Sequence, residues 1–141
     1  MHSVKTKWVN KMAFDSQVDN HTIRIDTSGL LGNDTGPSPK KLLLSSLAGC
    51  TGMDVVSLLK KMRVTISGFE MDIDADLTEE HPKVYSEIRL VYRFYGVDLN
   101  KEKIEKAVRL SQEKYCGVSE MLRKNSPLNY SIEYVEKMVS A

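Results

Sequence analysis

The chain is 141 residues long, 41% hydrophobic and 28% charged, which is an ordinary balance for a globular protein. Its net charge of +1 provides no electrostatic field that would gather nucleic acid or an anionic membrane surface. The length suits a single domain over residues 1–141, alone or completed by oligomerisation, and the N-terminus lacks the apolar core of a signal peptide, which indicates a cytoplasmic protein.

The first part of the chain predicts two strands and a loop. Polar and apolar side chains alternate after Val4, and this pattern predicts a strand from Val4 to Phe14. The polar run over residues 15–20 predicts a turn into a second strand over residues 21–26. Glycine, asparagine and aspartate residues then predict a loop that ends at Pro37.

Residues 38–62 predict one long helix around which the rest of the chain is organised. Ser38 can cap its N-terminus, and Pro39 suits the first helical position because its missing N–H costs nothing there. Its apolar residues fall on several faces, which predicts a buried core helix, and the polar residues that interrupt them argue against a membrane span. Gly49 and Gly52 each cost about 1 kcal/mol relative to alanine and are tolerable where another backbone approaches closely.

The second half predicts a further sheet and two helices. Residues 69–77 and 84–95 alternate between apolar and charged side chains, which predicts an antiparallel pair of strands with one wet face. A helix is expected from a cap at Asp98 or Asn100 to about residue 115, a further helix over 117–125, and a last strand over 128–134. This order contains no regular βαβ repeat, so the predicted fold class is α+β with antiparallel sheets.

Two further patterns bear on chemistry. The second helix is expected to turn Ser111 and Tyr115 inward, as part of its apolar stripe. Aspartates at positions 72, 74 and 76 predict a solvated strand face and not a calcium loop, because Leu77 stands where such a loop needs glycine. The three histidines are isolated and no glycine-rich phosphate loop follows a strand, so no metal or cofactor is expected.

Cys50 is the first candidate functional residue, because it lies in mid-helix between two glycines. The helix dipole does not activate it there, since that effect is confined to the terminal turns. Asp54 lies one turn further on the same face, and its negative charge would raise the pKa of the thiol. A cation from elsewhere in the fold is therefore needed to activate Cys50, and the candidates are Arg24 on the second strand and Lys40.

Cys116 is the second candidate. It stands between the second and third helices, so its sulfur is expected to face N–H groups at a helix N-terminus, which lowers the pKa of a thiol by less than about one unit. The two cysteines are too far apart in sequence for a CxxC redox loop. Residue type alone favours two unrelated buried thiols.

The sequence around both cysteines resembles that of the OsmC/Ohr family, and within it the YhfA-like branch. The order of the predicted elements fits this family along the whole chain. The residues that carry the resemblance are Gly36-Pro37-Ser38-Pro39, the segment Leu42–Val56 around Cys50, the segment Glu113–Ser119 around Cys116, and Met121-Leu122.

The resemblance implies an OsmC-like fold and an intertwined homodimer, with two long central helices packed together and active sites at the subunit interface. It implies that Cys50 is the peroxidatic thiol, which a hydroperoxide substrate oxidises to a sulfenic acid. It implies further that Cys116 resolves this acid to a disulfide, and that an external dithiol reduces the disulfide. Organic hydroperoxides are favoured because the surrounding residues are apolar.

One position departs from the family pattern. Peroxidase members carry a glutamate ten residues before the cysteine, which works with an arginine, and here that position is Lys40. A lysine cannot accept the hydrogen bond that orients a guanidinium, and Arg24 does not align securely with the family arginine. Two alternatives therefore stand beside the peroxidase: a redox-responsive or small-ligand-binding protein without efficient turnover, and a dimeric scaffold with structural or idle thiols.

Overall fold

The computed structural model describes residues 1–138 and has the α+β architecture that the sequence predicts. Its strands are Lys5–Asn10 (β1), Ala13–Val18 (β2), His21–Ile25 (β3), Gly68–Leu77 (β4), Tyr85–Gly96 (β5) and Leu128–Glu136 (β6), and its helices are Pro39–Lys61 (α1), Lys101–Leu110 (α2) and Gly117–Arg123 (α3). The chain divides into two compact units, residues 1–45 and residues 46 onward, each with a three-stranded sheet. That residues 1–141 form one domain stays a prediction, and residues 139–141 lie outside the described part.

The first unit contains an antiparallel sheet in the order β1-β2-β3. The prediction of one strand from Val4 to Phe14 is wrong, because the chain reverses at Lys11, whose φ of 43° is the left-handed conformation. Trp8 stabilises this turn by donating from Nε1 to the Lys11 carbonyl at 2.9 Å. Neither glycine nor proline marks the turn in the sequence, and the polar run that predicted a turn is mostly the second half of β2.

A buried carboxylate holds the loop that follows β3. Asp26 is 1% exposed and accepts hydrogen bonds from the Thr35 hydroxyl at 2.6 Å and from the Thr35 backbone N–H at 3.0 Å. The backbone N–H groups of Thr27 and Asn33 donate to its other oxygen at 2.7 and 3.4 Å. These contacts, with the Thr35 hydroxyl first, lower the pKa of Asp26 to about 2. One side chain therefore fixes both ends of the loop.

Helix α1 has the predicted bounds to within one residue, but the prediction that it is buried is only partly right. One chain covers one stripe of the helix, with buried positions mostly four residues apart. Met53 and Val56, on the other faces, are 76% and 52% exposed. By length and composition α1 could cross a membrane, yet it is a partly buried core helix. The buried residues of α1 are Leu47, Thr51, Gly52, Val55 and Leu59.

The two glycines of α1 differ in their surroundings. A Cβ on Gly52 would lie 2.7 Å from Cε of Met71 on β4, so the absent side chain makes room for the packing of Met71 on the helix. At Gly52 the close approach is therefore made by the side chain of another residue, and not by the backbone that the sequence led us to expect. Gly49 has no such neighbour within 4 Å in the described part of the chain, and it leaves that face of the helix open.

The second unit contains the sheet β4-β5-β6. β4 and β5 pair antiparallel along their whole length, as predicted. β6 pairs with β5 in parallel, with Leu128 opposite Ile88, so the prediction of antiparallel sheets is wrong for this pair. The cause is the connection, because two helices lie between β5 and β6 and return the chain to the end of the sheet where β5 begins.

The two faces of this second sheet have opposite character. Phe69 stacks on Phe94 with 4.6 Å between ring centroids on the apolar face. On the other face Arg93 donates to Asp72 at 2.8 Å and to Glu133 at 2.9 Å, which joins all three strands. The acidic row of β4 is therefore a solvated strand face, as predicted. The most deeply buried residues of β5, each at most 1% exposed, are Ile88, Leu90, Tyr92 and Phe94.

Helix α2 is capped by Asn100, whose side chain accepts from the Lys103 backbone N–H at 3.1 Å. The helix continues into a π-helical turn over Ser111–Tyr115. Ser111 is fully buried, as predicted, but Tyr115 is 49% exposed, so the expectation that it faces inward is wrong. The wider π geometry breaks the 3.6-residue period on which that expectation depends.

Candidate functional site

Cys50 and Asp54 lie one turn apart on the same face of α1. Both are half-buried, whereas Thr51, the next residue after Cys50, is fully buried. The apolar stripe around Thr51 fixes the rotation of the helix and so places Cys50 and Asp54 at the border between the core and the surface. A thiol in this position is accessible to a small molecule.

Cys116 lies where the π-helical turn ends and α3 begins. Its backbone N–H donates to the Ser111 carbonyl at 2.7 Å, which closes the π turn. Its Sγ caps α3 by accepting from the Ser119 backbone N–H at 3.3 Å. The side chain is only 3% exposed, so Cys116 is the inner thiol of the pair and Cys50 is the outer one.

The structure brings these three side chains together. The sulfur atoms of Cys50 and Cys116 and a carboxylate oxygen of Asp54 all lie within 4.8 Å of one another. Both cysteines are free thiols. A disulfide bond is about 2.05 Å long, so the two sulfur atoms would have to approach each other by less than about 3 Å to form one. Residue type alone had favoured two unrelated thiols, and this interpretation is wrong.

The electrostatic environment of Cys116 differs from the expectation. Burial raises the pKa of the Cys116 thiol, and the neighbouring Cys50 sulfur raises it further. Contacts from Ser119 lower the pKa but do not outweigh the burial. The prediction that the helix N-terminus lowers this pKa overall is therefore wrong, because desolvation of a thiolate costs more than one weak N–H···S contact returns.

A network of buried hydrogen bonds ends at the carboxylate of Asp54. The Ser111 hydroxyl donates to Asp54 Oδ2 at 2.9 Å and lies 2.7 Å from the Thr51 hydroxyl. Thr51 in turn lies 2.6 Å from the Tyr92 hydroxyl, which also accepts from Gln112 Nε2 at 2.7 Å. These contacts join α1, β5 and the π turn, and they hold the carboxylate of Asp54 in a fixed orientation next to the thiols.

Sequence reasoning missed this network. Ser111 was expected to face inward, and the alternation of residues 84–95 puts Tyr92 on the apolar face of its strand. The sequence does not show that the hydroxyl groups of these two residues belong to one network. The available signal is the presence of Thr51 and Ser111 at core positions, since a buried hydroxyl needs a partner. The π-helical turn is a second signal, because such turns occur frequently at functional sites.

Arg24 and Lys40, the two candidate cations, both lie in the first unit. Arg24 makes a bidentate ion pair with Asp15, in which Nη2 lies 3.1 Å from Oδ2. It also donates a hydrogen bond to the Thr35 hydroxyl at 3.2 Å. Gly36 packs on its backbone so closely that a Cβ would lie 2.3 Å from the Arg24 carbonyl oxygen. Lys40 lies in the first turn of α1, and its side chain is exposed. The role of Arg24 at the thiols stays a prediction.

Two of the cavities that border α1 bear on the site. The larger, about 590 Å³, is an apolar groove between α1 and β4. The smaller, about 230 Å³, borders Asp54 together with Lys61 and Tyr115 and has mixed polarity. The residues that line the larger groove are Ala48, Gly49, Gly52, Met53, Val56, Ser57, Lys60, Phe69 and Met71.

Comparison with known proteins gives consistent results. Residues 32–131 match the family model described as OsmC-like protein. The Escherichia coli K12 protein YhfA is 34% identical over 132 residues, which cover 93% of this chain and 96% of that protein. A crystal structure of a hypothetical protein from Aquifex aeolicus is 30% identical with a TM-score of 0.81, covering 96% of this chain and 98% of that one.

A more distant solved structure is the organic hydroperoxide resistance protein OhrB of Bacillus subtilis. It is 20% identical with a TM-score of 0.67 and covers 93% of this chain and 98% of that one, so it supports the fold alone. The family match spans both cysteines and most of the elements described above, and proteins of this family are typically dimers. By sequence and by fold, this chain belongs to the OsmC-like protein family, with YhfA among its relatives.

Proposed function

We propose that this chain is a thiol-dependent peroxidase that reduces hydroperoxides, organic ones in particular, through Cys50 and Cys116. The observation that carries the proposal is the proximity of an accessible thiol to a buried one, with their sulfur atoms within 4.8 Å. The apolar residues beside Cys50 favour an organic substrate. The similar fold of OhrB of Bacillus subtilis, an organic hydroperoxide resistance protein, agrees with this reaction.

The first step is attack of the Cys50 thiolate on the terminal oxygen of the hydroperoxide. An S–O bond forms, the O–O bond breaks, and the other oxygen leaves with a proton as the alcohol. Cys50 is oxidised by two electrons to a sulfenic acid, and the hydroperoxide is reduced by two. Since Cys50 lies at the surface border and Cys116 is buried, Cys50 is the thiol that meets the substrate.

The second step joins the two cysteines. The Cys116 sulfur attacks the Cys50 sulfur, the S–O bond breaks, water leaves, and an intramolecular disulfide forms. Cys116 loses a proton in this step, and the Asp54 carboxylate, within 4.8 Å of both sulfurs, is our candidate for taking that proton and passing it to the departing hydroxide, which leaves as water. An external dithiol then reduces the disulfide by thiol–disulfide exchange and is itself oxidised to a disulfide.

The raised pKa of Cys116 suits a resolving thiol. Burial keeps it protonated at neutral pH, so it does not compete with Cys50 for peroxide. It reacts only when the sulfenic acid of Cys50 is next to it. Arg24 stays our candidate for the cation that stabilises the Cys50 thiolate, and Arg24→Gln is expected to slow the first step without preventing the second.

Peroxide consumption by the reduced protein, with dithiothreitol as the reductant, tests the proposal. Cys50→Ser is expected to abolish turnover. Cys116→Ser is expected to retain one oxidation per chain and then to accumulate the sulfinic acid of Cys50, which mass spectrometry detects. Peroxide consumption that is unchanged in Cys50→Ser would contradict the proposal.

We infer that the functional unit is a cytoplasmic homodimer in which a second copy covers the exposed face of α1. The groove along that face is apolar, Gly49 leaves it open, and Met53 and Val56 are exposed in the single chain. Light scattering should give twice the chain mass of 16.0 kDa. Val56→Glu should weaken the dimer, whereas Val97→Glu, at a 59%-exposed residue after β5, should not. A stable 16.0 kDa species for the unaltered protein would contradict this inference.

The second candidate function is a redox-responsive or small-ligand-binding protein without efficient turnover. Lys40 favours it, because peroxidases of the family carry a glutamate at that position. Such a protein would form the Cys50–Cys116 disulfide once, but it would consume peroxide slowly in the presence of dithiol. The ratio of the first oxidation rate to the steady-state rate separates the two candidates. In the third alternative, with idle thiols, peroxide would cause no loss of thiols.

A further inference from the structure

We propose that the reduced protein binds one Zn²⁺ per chain through Cys50, Asp54 and Cys116. The ligand atoms of these residues lie within 4.8 Å of one another, and no other group of three His, Cys, Asp or Glu residues in residues 1–138 is arranged to hold a metal ion. Zinc sites commonly take two ligands four residues apart on a helix and a third from a distant segment. Cys50 and Asp54 have this spacing on α1, and Cys116 supplies the third ligand from the start of α3.

The distances fit a tetrahedral zinc site. With Zn–S bonds of about 2.3 Å, two thiolate ligands lie about 3.8 Å apart, so the two sulfur atoms need to approach each other by about 1 Å at most. Two sulfurs and one carboxylate oxygen form a soft to borderline donor set, which suits Zn²⁺ and disfavours Mg²⁺ and Ca²⁺. The cavity of about 230 Å³ that borders Asp54 leaves room for water as the fourth ligand.

Two hydrogen bonds from neighbouring residues already hold the proposed ligand atoms in place. The Ser111 hydroxyl donates to Asp54 Oδ2 at 2.9 Å, and this contact orients the carboxylate. The Ser119 N–H donates to Cys116 Sγ at 3.3 Å and stabilises negative charge on the sulfur. Two thiolates and a carboxylate carry three negative charges, and a divalent cation neutralises two of them.

Zinc binding and the disulfide exclude each other, because both use the two sulfur atoms. Zinc is therefore expected to protect the thiols from hydroperoxide, and disulfide formation is expected to release the metal. This proposal does not depend on the proposed function, since it concerns the reduced protein without peroxide. If zinc binds and turnover is absent, the metal proposal stands and the peroxidase fails, and the reverse result separates them equally well.

The direct test is titration of the reduced, full-length protein with Zn²⁺ in competition with a chromophoric chelator. We expect one Zn²⁺ per chain with a dissociation constant below about 1 µM. Cys50→Ser and Cys116→Ser should each weaken binding by at least about 100-fold, and Ser111→Ala by roughly 10-fold or more. Asp74→Ala, on the solvated face of β4, is the control and should leave binding unchanged.

Asp54→Ala distinguishes the three-ligand site from binding by two thiols alone. It should weaken zinc binding by at least about 10-fold, and binding equal to that of the unaltered protein would overturn the proposal. Since a variant can fail to fold, Co²⁺ added to the unaltered protein gives a second measurement. Visible absorption of tetrahedral Co²⁺ with a thiolate charge-transfer band supports the site, and an octahedral spectrum without that band overturns it.

Discussion

The two units of the chain are stabilised by different kinds of contact. In residues 1–45 the buried residues are Ala13, Ser16 and Asp26. The contacts that hold this unit together are polar, such as the Arg24–Asp15 ion pair and the hydrogen bonds of Asp26. In the second unit β5 alone contributes four residues that are at most 1% exposed. The thiols belong to the second unit, so the candidate chemistry is part of an apolar core, whereas local polar contacts hold the first sheet.

The largest difference between the units is expected for two matched phenylalanines. Phe94→Ala removes a fully buried ring from the second unit and should lower the free energy of unfolding by roughly 3–5 kcal/mol. Phe14→Ala removes a 39%-exposed ring from β2 and should cost about 1 kcal/mol or less. Urea unfolding of both variants checks this comparison. Equal losses would contradict it and would indicate that a partner chain buries the first sheet.

A smaller effect, confined to the first unit, is expected at low pH. The pKa of Asp26 is about 2 in the folded protein, below the ordinary value of 3.8, so its carboxylate stabilises the fold above about pH 4. This contribution is lost as the pH falls from about 4 to about 2. Asp26→Asn should remove that part of the acid dependence.

The matched control for this prediction is Asp34→Asn, in the same loop. Asp34 is exposed and has a φ of 53°, which asparagine also adopts readily. Thermal unfolding between pH 2 and 7 should therefore give the same acid profile for the control as for the unaltered protein. An acid profile for Asp26→Asn that matches the unaltered protein would show that Asp26 does not hold the loop.

The smallest effect is expected at Lys40. The first turn of α1 carries no acidic residue, so Lys40→Glu should stabilise the helix by roughly 0.3–1 kcal/mol through its dipole. We expect the second-order rate constants of the variant and the unaltered protein with organic hydroperoxide to differ by less than about tenfold at every pH. The reason is that two adjacent lysines at the start of a helix commonly face water. A larger rise would show that the family glutamate is needed to orient an arginine, and a larger fall would show that Lys40 supplies charge to the thiol.

The sequence predicted the elements of the second unit well, because their signals are local. The alternation in β4 and β5 and the cap at Asn100, one of two candidates, are each visible in a few residues, and so is the start of α1 at Pro39 in the first unit. The turn at Lys11 was missed because a left-handed lysine leaves no compositional signal. The parallel pairing of β6 was also missed, since it depends on how the intervening helices return the chain.

Some features of the candidate site could be predicted from the sequence and others could not, because only the local ones leave a signal in it. Family resemblance implied that Cys50 and Cys116 act together, and the structure brings their sulfurs within reach. The sign of the pKa shift at Cys116 was wrong, because burial is a property of the whole fold and the helix start is local. The support of Asp54 by Ser111 joins residues 57 positions apart, and no short pattern in the sequence records such a contact.

Peptide mapping under non-reducing conditions, after one equivalent of cumene hydroperoxide per chain, tests the central claim most directly. The account predicts that both thiols are lost together and that a single peptide pair, linked through Cys50 and Cys116 of the same chain, accumulates. Mixing isotopically light and heavy chains distinguishes links within a chain from links between chains. Retention of both free thiols, or links between chains alone, would contradict the two-cysteine peroxidase.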